Sequence, residues 1–204
     1  MDLGCGDGEL LALLVSEKGA KVEGIDVNEQ AIHQCVAKGL SVLHEDIDNG
    51  LLEYADKSFD YVILNQSLQQ VKQLEAVLVD ALRVGKRVIV GFPNFTHYKA
   101  RLQLFFGGKT PVTPSLPYKW YDTPNLHFLS ISDFVEYCHE KNIRIEKSAY
   151  FSNDNAVRFF PNLFALVGLF VISNAVDDFP RKPVLKPLPG VRIEGKSTAK
   201  VIHK

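Results

Sequence analysis

The sequence has few cysteines, no long apolar run and almost no net charge, and each shortage excludes a class of protein. Its three cysteines, at positions 5, 35 and 138, form no C-x-x-C pair, which argues against a disulfide framework or a metal site and favours a reducing, cytoplasmic compartment. The most apolar stretch, residues 159–172, is interrupted by proline and asparagine and is shorter than the roughly 20 residues of a membrane-spanning helix. The net charge of −1 gives no bulk attraction to nucleic acid.

The composition is that of a single globular domain with a basic tail. The chain has 204 residues, of which 46% are hydrophobic, enough for one sizeable core. From position 180 onward seven lysines and arginines stand against one glutamate, with several prolines among them. We therefore predict one domain over residues 1–179 and a disordered tail over residues 180–204.

Apolar runs of strand length alternate with helical stretches, which is typical of an α/β fold with a doubly wound, mostly parallel, Rossmann-like sheet. The predicted strands are residues 21–25, 41–44, 61–64, 87–92, 143–150 and 164–172. The predicted helices are residues 9–18, 29–38, 74–82, 98–106 and 132–140. No helix of crossover length separates the last two strands, so we predict that they pair antiparallel at one edge of the sheet.

The sequence DLGCGDGEL near the start predicts a ligand-binding turn. Its glycines are Gly4, Gly6 and Gly8, whereas a dinucleotide fingerprint would need its third glycine where Glu9 stands. Asp2 would also repel a pyrophosphate. S-adenosyl-L-methionine, which has an ammonium and a sulfonium group and no phosphate, suits this turn better.

Two acidic positions after later strands support the same ligand. Asp26 ends the second strand about 20 residues past the turn, the place of the acid that accepts ribose hydroxyls in βαβ folds, although it could instead cap the next helix. Asp46 could accept from the adenine amino group, with Ile47 packing on the ring. Glu45 and Asp48 compete for that role.

The predicted cofactor contacts come from the turn and from the ends of the following strands, with no metal ligand among them. They are Asp2, Gly4, Cys5, Gly6, Gly8, Asp26, Val27, Asp46, Ile47 and Asn65. We interpret Cys5 as a packing residue rather than a nucleophile. Catalytic residues form no recognisable constellation, and the polar candidates on the acceptor side are Asn65, Gln66, Asn94, His97, Tyr98, Tyr121 and His127.

Five segments together resemble the methionine biosynthesis protein MetW family of the class I methyltransferase superfamily. They are DLGCGDGELLALL, SFDYVILNQSLQQV, VGFPNFTHYKARLQL, PVTPSLPYKWYDTPNLHFLSISDF and FFPNLFALVGLFVI. The resemblance implies a class I methyltransferase-like domain, a role in methionine biosynthesis and homoserine O-acyltransferase as partner. Family members have an N-terminal helix and a full first strand before the turn, so we expect that this chain lacks that helix and most of that strand.

Two functions remain open at this point. The chain is either a methyltransferase acting on an unidentified small molecule, or a binding protein that uses the cofactor to modulate an acyltransferase. In the second case the aromatic segment 95–127 is the predicted docking surface, since large aromatics with arginine dominate protein interfaces.

Overall fold

The structure, a computed structural model, describes residues 1–175. The predicted tail over residues 180–204 lies outside these residues. Within them, no helix is both long and apolar enough to cross a membrane.

One mixed sheet of eight strands organises the described part of the chain, in the order β3-β2-β1-β4-β5-β8-β6-β7. The strands are β1 (Asp2–Leu3), β2 (Gly24–Asp26), β3 (Val42–His44), β4 (Phe59–Asn65), β5 (Gly85–Pro93), β6 (Ile143–Ser152), β7 (Asn155–Ala156) and β8 (Val167–Asn174). The first five strands pair parallel. Strand β8 pairs antiparallel with both β5 and β6, which confirms the predicted mostly parallel sheet with antiparallel pairing at one edge.

Within residues 1–175 six helices join the strands, and five of them lie within a residue or two of their predicted positions. They are α1 (Glu9–Lys18), α2 (Glu29–Ala37), α3 (Leu74–Val84), α4 (Tyr98–Gly107), α5 (Ile131–Glu140) and the short α6 (Pro161–Phe164). A 3-10 turn, Ile47–Asn49, follows β3. The sequence pattern did not predict α6 or the two-residue strand β7, because elements this short have too few residues for a periodicity.

Local signals explain where the helices next to the sheet begin. The Asn28 side chain accepts hydrogen bonds from the N–H groups of Gln30 and Ala31 and so caps α2. A reciprocal pair of hydrogen bonds between Ser130 and Asp133 forms a capping box at the start of α5. Asn28, rather than Asp26, therefore caps α2.

The main core lies between the centre of the sheet and the helices packed on it. The rings of Phe92, Phe134 and Phe170 join β5, α5 and β8, with centroids 4.9–5.7 Å apart. Strand β1 lies between β2 and β4, so the chain crosses to opposite sides of β1 as it proceeds. Such a switch point opens a crevice at the carboxyl ends of parallel strands, which is where open α/β sheets bind ligands.

Candidate functional site

A cavity of about 360 Å³ lies at this crevice, within the size range of small-molecule sites. Six of the ten predicted contacts line it, and these are Gly4, Gly6, Asp26, Val27, Asp46 and Ile47. They come from the end of β2 and from the loops after β1, β2 and β3. The remaining four, Asp2, Cys5, Gly8 and Asn65, are not part of its lining.

The loop after β1 lines the cavity with two glycines, so only backbone atoms face the cavity there. Gly4 and Gly6 have φ of 81° and 54°, in the left-handed region that favours glycine. A Cβ on Gly4 would lie 2.7 Å from the Cβ of Ser67, so a larger residue has no room there. The N–H groups of Gly4 and Cys5 both donate to the carbonyl of Ile25, which fixes the loop against β2.

Asp26 joins the glycine loop to the start of α2. Its Oδ2 accepts from the N–H of Gly6 at 2.8 Å, and its Oδ1 accepts from the N–H of Asn28 at 2.8 Å. Each carboxylate oxygen can accept a further hydrogen bond. The carboxylate is thus held in one orientation on the cavity wall with capacity left for a ligand.

Asp46 and Asp48, two of the three acids that compete for the adenine amino group, both line the cavity but differ in their surroundings. Both Asp48 oxygens accept from backbone N–H groups of Lys72 and Gln73, at 2.8–3.0 Å. Asp46 accepts one such bond, from the N–H of Asp48 at 2.9 Å. Asp48 therefore holds the segment before α3, and Asp46 is the better placed of the two to accept from a ligand.

Asp2 lies in β1 and is only 2% exposed. Within residues 1–175 its Oδ1 is buried without a hydrogen-bond partner. Burial raises the pKa of Asp2 from 3.8 to about 6, the amino group of Met1 opposes this change, and the Asp26 carboxylate adds to it. A ligand cation nearby would offset the cost of the buried negative charge.

Cys5 and Gly8 belong to the loop but contact residues of α1, α2 and the turn after α2 rather than the cavity. Cys5 packs in a small apolar cluster with Leu11 and Cys35, and burial raises its pKa to about 12, in agreement with its interpretation as a packing residue. Gly8 has φ 78°, and an added Cβ would lie 2.6 Å from Leu40. Their placement gives them a role in the shape of the loop.

The loop after β4 contributes residues to the cavity that were not among the ten cofactor contacts predicted from the sequence. Asn65 lies beside β5, with its Oδ1 2.7 Å from where a Cβ on Gly91 would be, whereas Gln66, Ser67 and Gln70 line the cavity. Gln66 adopts φ 59°, a conformation that is uncommon outside glycine and occurs often at functional sites. The run of polar residues directly after the apolar strand was the signal that could have identified them.

Three candidates on the acceptor side have structural roles. Asn94 is fully buried and donates to the carbonyls of Asn162 and Ala165. His97 caps α4 through a bond from the N–H of Lys99, and burial lowers the pKa of its imidazole. His127 Nε2 lies 2.9 Å from the carbonyl of Val71 and fastens the 95–127 segment to the cavity loop.

Comparison with known proteins gives the family and the fold. The family model described as methionine biosynthesis protein MetW matches residues 1–172. The bifunctional methionine biosynthesis protein MetXA/MetW of Rhodopirellula baltica is 31% identical over 171 residues, which are 79% of this chain but only 27% of that protein. The chain thus spans about a quarter of the length of this relative.

Solved structures share the fold at low identity. A SAM-dependent methyltransferase from Archaeoglobus fulgidus is 17% identical with a TM-score of 0.59, covering 84% of this chain and 83% of that one. The plantazolicin methyltransferase BpumL, solved in complex with SAH, is 18% identical with a TM-score of 0.57, covering 85% of this chain and 74% of its own. Together with the sheet order, these likenesses show a Rossmann-like class I methyltransferase fold.

Proposed function

Because this chain belongs to the MetW family of methionine biosynthesis proteins, we propose that it binds S-adenosyl-L-methionine in the cavity above β1 and acts with homoserine O-acyltransferase. The observation that carries the cofactor assignment is Asp26, whose carboxylate is fixed by Gly6 and Asn28 on the wall of a glycine-lined cavity. When bound, the cofactor supplies an activated methyl group.

The charges around the cavity favour a cationic ligand over a phosphorylated one. All four charged residues in its lining are acidic, namely Asp26, Glu45, Asp46 and Asp48. Carboxylates repel phosphate and attract a sulfonium and an ammonium group. The buried carboxylate of Asp2 adds a further negative charge next to the loop. This electrostatic pattern supports S-adenosylmethionine and argues against a nicotinamide dinucleotide.

The shape of the site suggests which part of the cofactor each wall holds. Asp26 accepts hydrogen bonds from the ribose hydroxyls, and Asp46 accepts a hydrogen bond from the adenine amino group. Val27 and Ile47 pack on the adenine ring. The bare backbone of the glycine loop lies against the amino-acid portion. Ser67 adds a hydroxyl whose Oγ is buried without a partner in residues 1–175, and a ligand group reaching it would satisfy this atom.

Calorimetry with S-adenosylmethionine, its demethylated product and NAD tests the assignment. We expect Asp26→Ala to weaken binding of the first two by about 1.5–3 kcal/mol through loss of charge-assisted bonds. Asp7→Ala is the matched control, because Asp7 lies in the same loop but outside the cavity lining. Preferential binding of NAD, or equal affinity in folded Asp26→Ala, would refute the proposed site.

The proposed partnership rests on the family and on exposed aromatic side chains of the segment 95–127. The relative from Rhodopirellula baltica is named as a bifunctional MetXA/MetW protein, so a MetW unit there shares a chain with a second unit. In the present chain Phe105 and Phe106 on α4 are 82% and 78% exposed, and Trp120 and Tyr121 are also exposed. Exposed aromatic clusters of this kind often mark interaction sites.

Arg101 is an exposed arginine of the same segment, but its side chain donates a hydrogen bond to the carbonyl of Thr96. Substituting it would also disturb the local structure, so it is unsuitable for testing partner binding. We expect that the double substitution Phe105→Ser and Phe106→Ser abolishes co-purification with the acyltransferase and leaves cofactor affinity unchanged. Val36→Ser, an exposed apolar residue on α2, is the control. If the double variant retains the acyltransferase but loses cofactor binding, the aromatic segment covers the cavity instead of docking a partner.

A further inference from the structure

A second cavity of about 310 Å³ lies directly beside the proposed cofactor site. Gln66 and Gln70 line both cavities, so one pair of side chains separates them. The other walls come from distant parts of the chain, namely the end of β5, residues 114–118 of the aromatic segment, the turn after β6 and the start of β8. A molecule bound here would lie next to a cofactor in the first cavity.

The lining of the second cavity is polar but uncharged. Its polar groups are amides and hydroxyls, contributed by Gln66, Gln69, Gln70, Ser115, Tyr118, Asn125 and Asn153. Three prolines and two aliphatic residues supply the apolar surface. In contrast to the first cavity, none of the lining residues is Asp, Glu, Lys, Arg or His. An ionised ligand would lose its hydration here without gaining a charged partner, which is costly.

Gln69 lines this cavity and has a side-chain oxygen without a hydrogen-bond partner in residues 1–175. The residue is 3% exposed, and its Nε2 donates to the carbonyl of Gln66 at 2.8 Å. Since a carbonyl can only accept, this bond fixes which end of the amide is nitrogen. The opposite atom, Oε1, is a buried acceptor without a partner in residues 1–175. The amide and hydroxyl oxygens of the lining are acceptors, and Oε1 of Gln69 would join them where a ligand reaches it, so the cavity favours a ligand that brings an N–H or O–H group.

The backbone around Gln69 is held rigidly. Its carbonyl accepts from the N–H groups of both Leu126 and His127, at 2.8 and 3.0 Å. His127 is itself fastened to Val71 through its ring. The aromatic segment therefore forms a fixed wall against the loop after β4, and the second cavity is largely preformed.

We propose that this second cavity binds an uncharged small molecule with an apolar body and an N–H or O–H group, placed beside the proposed cofactor. This proposal rests on the proposed function only in taking the molecule in the first cavity to be S-adenosyl-L-methionine. Such a ligand position is what an active methyltransferase requires, so this cavity favours a methyltransferase acting on a small molecule over a protein that only binds the cofactor.

Benzamide, benzoate and benzylamine are matched probes, being neutral, anionic and cationic molecules of similar size. We expect benzamide to shift the backbone amide resonances of residues 66–70, 115, 118 and 125 in two-dimensional NMR of the full chain, and the two charged probes to leave them unmoved. Gln69→Leu should weaken benzamide binding about tenfold. Gln34→Leu, exposed on α2 and outside both cavities, should not change it.

The possible results separate this inference from the proposed function. Equal shifts with benzoate, or no shifts with benzamide at its solubility limit, would overturn the second cavity as a site for neutral ligands. Should Gln69→Leu not fold, the comparison of the three probes on the unaltered chain decides. If S-adenosylmethionine binds and benzamide does not, only this inference fails, whereas benzamide binding without cofactor binding refutes the proposed function alone.

Discussion

Replacing Asp2 by asparagine removes a negative charge that the fold buries at a cost. The side chain is 2% exposed, and one of its oxygens has no partner in residues 1–175. Asparagine has nearly the same shape, so the packing around β1 should be preserved. The perturbation is therefore mainly electrostatic, and its dependence on pH identifies it.

The size of the effect follows from the pKa. Burial raises the pKa of Asp2 from 3.8 to about 6, and this difference corresponds to about 3 kcal/mol. Between these two values the native state binds more protons than the unfolded state, so the stability of the unaltered protein falls as pH rises. The loss of stability caused by the buried Asp2 carboxylate is small near pH 4 and reaches its full size above about pH 7. Asp2→Asn should thus gain about 3 kcal/mol relative to the unaltered protein across this window.

Urea unfolding followed by circular dichroism at several pH values from 4 to 7 measures this change. Asp60→Asn is the matched control, because Asp60 is exposed and its pKa is lowered by a hydrogen bond from Lys86. Because its pKa is lowered from 3.8, Asp60 titrates below this pH range, and the stability difference of the control should stay nearly constant from pH 4 to pH 7. A free-energy difference between Asp2→Asn and the unaltered protein that stays constant from pH 4 to pH 7 would refute the reasoning, whatever its absolute value.

Two further predictions concern the glycine turn and the thiols. Gly8→Ala should destabilise the fold by about 2–4 kcal/mol, from left-handed strain and overlap with neighbouring side chains. Gly6→Ala, which has open space at its Cβ, should cost only about 1–2 kcal/mol of stability, from the strain alone. Equal losses of stability in urea unfolding would contradict the packing argument. Cys5 and Cys138, whose pKa values burial raises to about 12, should resist iodoacetamide at pH 8 in the native state, as mass spectrometry can show. Fast labelling without unfolding would contradict their burial.

The sequence by itself determined the order and type of the main elements, because periodicity, glycine turns and helix caps are local properties. The alternation of apolar runs and helices predicts the strands from β2 to β5, and Asn28 marks the start of α2. The glycines after β1 and the acid at the end of β2 also follow from short-range geometry. Asp26 lies on the cavity wall for that reason.

Tertiary structure alone decided which side chains share a cavity and which are buried. Cys5 and Gly8 belong to the predicted turn, yet they pack against residues of the neighbouring helices and do not line the cavity. Ser67 reaches the glycine loop because β4 pairs with β1, a contact between residues more than 60 positions apart. The burial that raises the pKa of Asp2, and the second cavity around Gln69, likewise depend on segments that meet only in the folded sheet. Local patterns carry no information on such long-range contacts, which is why the sequence identified the loop but not the full site.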